Sequence, residues 1–291
     1  MISVSLEGDF EENAVTLLRQ IAPTAVITQD AQTSDVGVYD RMDDSEEPSA
    51  FDKVKLATLV GRCRSVIFFA NGLVEPDVSK TVTVIGYKPG SVSSRPPRVF
   101  WNLRYAPVTL EQNVQDATIR DRSRAFVALG TARGIEGLRK VLLAMSEVRS
   151  ITSIDVLGSP LNPIGAAINC IRPDQVVRVH EQVADVAPFL FSAGLVVASY
   201  GHLGYEALAC GAPLCLVGQK VFQAQYAERL AARGMCIAAG SLTEITSAGL
   251  ARKFEETLRC ANALSRTARS NIDGHGLDRI AELILTRLEA A

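Results

Sequence analysis

Two glycine-containing segments hold the residues whose types and spacing can do chemistry. The first is Leu129-Gly130-Thr131-Ala132-Arg133-Gly134. Glycine lets a backbone turn sharply and approach a ligand closely. A helix opening just after such a turn aims free N–H groups at an anion, for example a diphosphate. Thr131 adds a hydroxyl there and Arg133 a positive charge. An ordinary strand-to-helix turn looks the same, so this segment alone does not specify a ligand. The second is Ser199-Tyr-Gly201-His202-Leu-Gly-Tyr-Glu206, continuing through Gly211 to Pro213. It joins a glycine turn, a helix start and a carboxylate one turn into that helix. Glu206 there can accept both hydroxyls of a ribose while the turn backbone faces phosphate. It can equally be an acid favoured by the helix macrodipole.

These segments need elements to hold them. Apolar, β-branched runs predict strands at 2–6, 25–28, 36–39, 65–70 and 81–85, with helical spacing over 13–21 and 52–63. From Arg124 the alternation is regular. Strands are expected at 125–129, 151–157, 176–179, 195–199, 214–217 and 235–238, with helices between them and long helices closing the chain. Strands alternating with helices imply α/β architecture with parallel sheets. In such sheets ligands bind beyond the carboxyl ends of the strands, where both glycine segments fall. The polar stretch from Val108 to Arg122 is placed as a linker, giving an N-terminal domain of 1–108 and a C-terminal domain of 122–291.

Composition bounds the partners. The chain has 291 residues, 47% hydrophobic and 21% charged, with a net charge of −2. That is enough for two domains with real cores. No basic excess points to nucleic acid. The acidic N-terminus does not resemble a signal peptide, and no run reaches the ~18 apolar residues of a spanning helix. Peripheral contact with a membrane surface stays open. Six cysteines without C-x-x-C or zinc-ligand spacing predict buried free thiols and a reducing, cytoplasmic setting. No metal site is expected. The acidic run Asp40 to Glu47 is read as a solvated loop.

Glu206-Ala-Leu-Ala-Cys-Gly-Ala-Pro213, followed by Gln223-Ala-Gln-Tyr-Ala227-Glu-Arg-Leu230 and Gly234, resembles the donor-site signature of GT-B nucleotide-sugar enzymes. That group includes the peptidoglycan N-acetylglucosaminyltransferase. The chain is also similar to the UDP-sugar hydrolase of the pseudaminic-acid pathway, through Tyr105-Ala-Pro107-Val108, Tyr205 before Glu206, and Ile272-Asp-Gly-His-Gly276 with Arg279-Ile280. The resemblance covers roughly residues 100–291. It implies two Rossmann-like domains in a GT-B-like arrangement with a shortened N-terminal domain. Its cleft would hold a UDP-sugar as donor substrate with no required cofactor, and an acceptor would sit on the N-terminal half. Carried over, Glu206 would hold the ribose, Gly201 and His202 would lie against the diphosphate, and Gln223 would face the sugar. Ser199 and the Gly130 loop with Thr131 and Arg133 would complete the pocket.

The chain departs from the hydrolase group at its N-terminus. After the first strand that group carries a glycine-rich loop with a histidine base. Here the corresponding Leu6-Glu-Gly-Asp9-Phe-Glu11-Glu12 has no histidine, and all three histidines (180, 202, 275) lie in the C-terminal half. Asp9 or Glu11 is the replacement base the sequence offers, and a buried acid with a raised pKa can serve. A solvated helix-start acid is the alternative. Leu203 stands where the family often has Thr. The expected activity is a glycosyltransferase of cell-surface glycan or glycoconjugate biosynthesis, with a UDP-sugar hydrolase or a non-catalytic nucleotide-sugar-binding relative as alternatives. Packing at the domain junction is expected for Trp101, Arg104 and Tyr105, with lining of the cleft as the alternative; a surface or strand-end place is expected for His180, and a turn for His275.

Overall fold

The structure is a computed structural model and describes residues 3–8, 26–28, 34–40, 51–69, 82–90, 98–108, 120–130, 135–158, 168–181 and 183–289. The chain forms two compact units, Met1–Pro107 with His275–Ala291, and Val108–Gly274.

The first unit is built on a parallel sheet. Its strands are β1 (Ser3–Gly8), β2 (Val26–Thr28), β3 (Ser34–Asp40), β4 (Cys63–Phe69), β5 (Val82–Gly86) and β6 (Val99–Trp101), in spatial order β2-β1-β3-β4-β5-β6. Parallel pairing needs a crossover between neighbouring strands; α1 (Phe51–Arg62) supplies the one from β3 to β4. One face packs Leu59 of α1 against Val66 and Phe68 of β4, Val82 and Val84 of β5, and Val99 and Trp101 of β6. Strand β6 has no counterpart in the pattern predicted above. Trp101 is buried in this core, and its indole N–H donates to the Lys88 carbonyl at 2.9 Å. Gly86 makes this possible, because a side-chain carbon there would sit 2.4 Å from the indole ring. The predicted helix over 13–21 lies outside the described residues, as does the acidic run 41–47.

The second unit carries the other parallel sheet, with strands β7 (Asp121–Ala128), β8 (Ser153–Leu157), β9 (Val176–His180), β10 (Ala193–Ser199), β11 (Leu214–Gly218) and β12 (Ile237–Ser241). The order is β12-β11-β10-β7-β8-β9. Counted from β7, this is the 3-2-1-4-5-6 order of a doubly wound dinucleotide-binding sheet. Strand interiors such as Leu195-Val-Val-Ala198 and Leu214-Cys-Leu-Val217 are fully buried, as expected for strands covered on both faces. The helices are α2 (Ile135–Glu147), α3 (Ala187–Ser192), α4 (His202–Ala209), α5 (Val221–Ala231) and α6 (Ser247–Asn271). Leu250, Ala251, Phe254, Thr257, Ala261, Leu264 and Ala268 form the buried stripe of α6 at helical spacing. Strand β12 starts two residues later than predicted, the buried Met235 and Cys236 belonging to the turn before it.

The last helix, α7 (Gly276–Glu289), corrects the expected domain limits. It groups with the first unit and not with 122–274. Arg279 Nη1 donates to the Arg104 carbonyl at 3.1 Å, beside the 3₁₀ turn Leu103–Tyr105. Gly276 closes on Ala106 so tightly that a side-chain carbon would lie 1.7 Å from the Ala106 carbonyl oxygen. His275, expected in a turn, instead forms an isolated β-bridge just before α7, with its Nδ1 3.1 Å from Asp278 Oδ2 in the first turn of that helix.

Candidate nucleotide-sugar site

The winding of the second sheet reverses between β7 and β10, which are hydrogen-bonded neighbours up to the pair Ala128–Ala198. Gly130 and Gly201 therefore follow the ends of neighbouring strands. They occupy the switch point, where open α/β sheets bind ligands.

Gly130 takes a φ of +70°, in the left-handed region that glycine enters without strain. It is exposed, and a side-chain carbon placed on it would meet nothing within 4 Å among the described residues. Thr131, Arg133 and Asp9 lie outside the described residues.

Gly201 caps α4 with an extended φ of 161°, and no side-chain hydrogen bond caps this N-terminus. A helix N-terminus without a side-chain cap leaves its first N–H groups to other acceptors. The conformation of Gly201 is one any residue adopts, so here the glycine contributes the lack of a side chain and not a left-handed turn. His202 and Glu206, four residues apart on α4, bring Nε2 and Oε1 to 3.5 Å. The histidine side chain is 58% exposed and the glutamate 27%. The pair thus stands on an accessible face of the first turns of α4, above the β10 end.

Two residues carried over as ligand contacts have other work. The Ser199 hydroxyl donates to the Leu129 carbonyl at 3.1 Å and accepts from Gln219 Nε2 at 2.5 Å. Gln219 Nε2 also donates to the Leu129 carbonyl. Ser199 is therefore a brace between the β7 and β10 ends. Gln223 Oε1 accepts from the backbone N–H groups of Gln219 (3.0 Å) and Lys220 (3.1 Å), and its Nε2 donates to the Tyr200 carbonyl at 3.1 Å. An amide oxygen has two lone pairs, and both are committed. Gln223 caps α5 and ties it to the β10 turn. Gln219 was not singled out in the sequence. Its place just past β11 and its paired-glutamine spacing to Gln223 were the only signals.

Beneath the turn sits an aromatic cluster. Tyr200 and Tyr205 are buried with their hydroxyls 2.6 Å apart, and Tyr226 stacks on Tyr200 with centroids at 5.0 Å. It gives the Gly201 turn a rigid floor.

A charge network lies further along the same sheet. Asp155 of β8 is almost fully buried. Its carboxylate accepts from Arg124 Nε of β7 at 2.7 Å and pairs with His180 Nε2 of β9 at 2.8 Å. His180 is the strand-end residue expected, and the buried acid behind it was not foreseen. All six cysteines are free, four of them buried. Burial pushes the Cys210 and Cys215 thiols up to about 12 and Cys236 higher still, so these behave as apolar packing groups. Among the described residues no cluster of three His, Cys, Asp or Glu could hold a metal. Among them, too, no helix is long and apolar enough to cross a membrane.

Solved structures share this architecture over the whole chain. The glycosyltransferase of kitacinnamycin superposes with a TM-score of 0.69 at 13% identity, covering 99% of this chain and 99% of that one. MurG of Acinetobacter baumannii gives 0.64 at 12% identity, covering 98% and 100%. A putative UDP-N-acetylglucosamine 2-epimerase from Listeria monocytogenes gives 0.60 at 15% identity, covering 100% and 97%. Neither a family model nor a curated protein sequence matches the chain. At these identities the likeness establishes the fold, and the fold is GT-B, two parallel α/β units as found in glycosyltransferases of this type.

Proposed function

We propose that this chain is a glycosyltransferase that uses a UDP-sugar as donor, in glycan or glycoconjugate assembly. One observation carries the reading. The Gly130 and Gly201 turns end adjacent parallel strands at the switch point of a doubly wound sheet, with His202 and Glu206 on the accessible face of the helix that starts there. The donor's diphosphate lies between the turns, its charge met by the N-terminus of α4 and by the His202 imidazole. Glu206 accepts the ribose hydroxyls. As the sugar–oxygen bond breaks, charge builds on the departing diphosphate, and these fixed donors stabilise it most at that moment. Bringing acceptor and sugar carbon together supplies the rest of the rate. The fold supports the reading, since its solved examples include glycosyltransferases and an enzyme named for a UDP-sugar.

The test is calorimetric titration of the chain with UDP and UDP-sugars. Replacing Glu206 with Ala should weaken binding by about 1.5–3 kcal/mol, the cost of losing hydrogen bonds to a charged group, with the melting temperature unchanged. Equal affinity in wild type and variant removes Glu206 from the site. Rapid release of UDP without any acceptor would make the chain a hydrolase, and binding without turnover on any acceptor or water would make it a binding protein.

A further inference from the structure

At the opposite edge of the second sheet, away from the glycine turns, a cleft of about 270 Å3 opens where β7, β10 and β11 begin. Arg120 and Arg122 line it from the start of β7, and Asn262 and Ser265 line it from α6. Small residues make the room. Gly194 lies against the Arg122 backbone so closely that a side-chain carbon would meet it at 2.6 Å, and Ala261 and Ser265 leave the α6 wall short. No carboxylate is among the described residues that line it.

Arg120 is held rigidly. Nη1 donates to the Leu190 carbonyl at 2.6 Å and the Ala193 carbonyl at 3.2 Å, and Nη2 donates to the Cys210 carbonyl at 2.7 Å. Those carbonyls lie at the ends of α3 and α4. A guanidinium has five N–H donors, so Nε–H and one Nη2–H of Arg120 have no partner among the described residues. N–H donors of a guanidinium are strong partners for the oxygens of an oxyanion. Arg122 is exposed and has no hydrogen-bond or ion-pair partner among the described residues. A third guanidinium, Arg269, shares the Cys210 carbonyl at 3.0 Å and sits one helical turn beyond Ser265 on the same face of α6.

From this we infer that the cleft is a binding site for a phosphate-class oxyanion, held by the remaining N–H donors of Arg120 and the guanidinium of Arg122, with the Asn262 amide and Ser265 hydroxyl as neutral donors. The site is separate from the donor site proposed above and does not depend on it. Burial and the neighbouring Arg269 bring the Arg120 guanidinium down to about 10, a strain on the cation that a bound anion relieves.

The experiment titrates the full chain with inorganic phosphate at constant ionic strength, chloride being the reference anion, with binding read by calorimetry. Saturable phosphate binding is expected. It should weaken about tenfold in Arg122→Gln and in Asn262→Asp, the loss of one charge-assisted contact, while both variants keep wild-type melting in chloride. Both positions are solvent-exposed, so the variants should fold. Arg252→Gln, which removes an exposed charge from α6 outside the cleft lining, should leave phosphate binding as it is. The inference is overturned if phosphate does no more than chloride, if both cleft variants bind as wild type does, or if Arg252→Gln weakens binding as much as they do.

Discussion

Asp155 shows what single residues do here and why a sequence hides it. Its carboxylate is 1% exposed and holds two partners from the strands on either side, the Arg124 guanidinium and the His180 imidazole. The rings of Phe189 and His180 pack edge-on at 4.7 Å, and Arg124 lies over the same Phe189. Nothing in the spacing of residues 124, 155 and 180 announces this, because three separate strands bring them together. The glycine turns were legible for the opposite reason, since a turn and a helix start are local events. Gln223 was legible as a signature residue, and only the folded chain shows both lone pairs of its oxygen taken by the cap of α5. Breaking a buried ion pair usually costs 3–5 kcal/mol, and the partial exposure of Arg124 and His180 reduces that through solvent screening. Asp155→Asn should therefore lower unfolding stability by roughly 2–3 kcal/mol, measured by urea denaturation at neutral pH. A change under about 0.5 kcal/mol, the usual range of a surface substitution, would mean the network contributes nothing.

The elements were mostly written in local patterns. Buried parallel strands appear as unbroken apolar runs, and α6 as a helical stripe. Two features escaped. Strand β6 is three residues long and ends in an aromatic, too short for alternation to show. The docking of α7 depends on a contact between residues 106 and 276, far apart in sequence. That contact gives a prediction in which two effects oppose each other. Gly276 opens a helix, where Ala is favoured by up to about 1 kcal/mol. The added carbon, however, would lie 1.7 Å from the Ala106 carbonyl oxygen, and backbone cannot rotate aside as a side chain can. Overpacking of this kind costs about 1–3 kcal/mol, so Gly276→Ala should lower the melting temperature of the first unit. A variant more stable than wild type would show that α7 does not dock on Ala106.

At the scale of the molecule, the chain crosses from one unit to the other at Pro107–Val108 and returns at Gly274–His275. The sequence indicated the first crossing by a polar stretch. It gave no sign of the second, since α6 and α7 have only Ile272 to His275 between them and both carry an apolar face. The return has a consequence for folding. Residues 108–274 hold a complete six-stranded sheet covered by α2 to α6, with a core running from Ala125 to Phe254. Residues 1–107 lack α7, which closes over the Leu103–Tyr105 turn through Arg279 and Gly276. A fragment of residues 108–274 should thus unfold cooperatively by itself, as a domain with its own core does. A fragment of residues 1–107 should need the 275–291 peptide, added in trans, to gain the near-ultraviolet dichroism of a packed core around Trp101. Were the 1–107 fragment to fold fully without that peptide, α7 would be an appendage and not a part of the first unit.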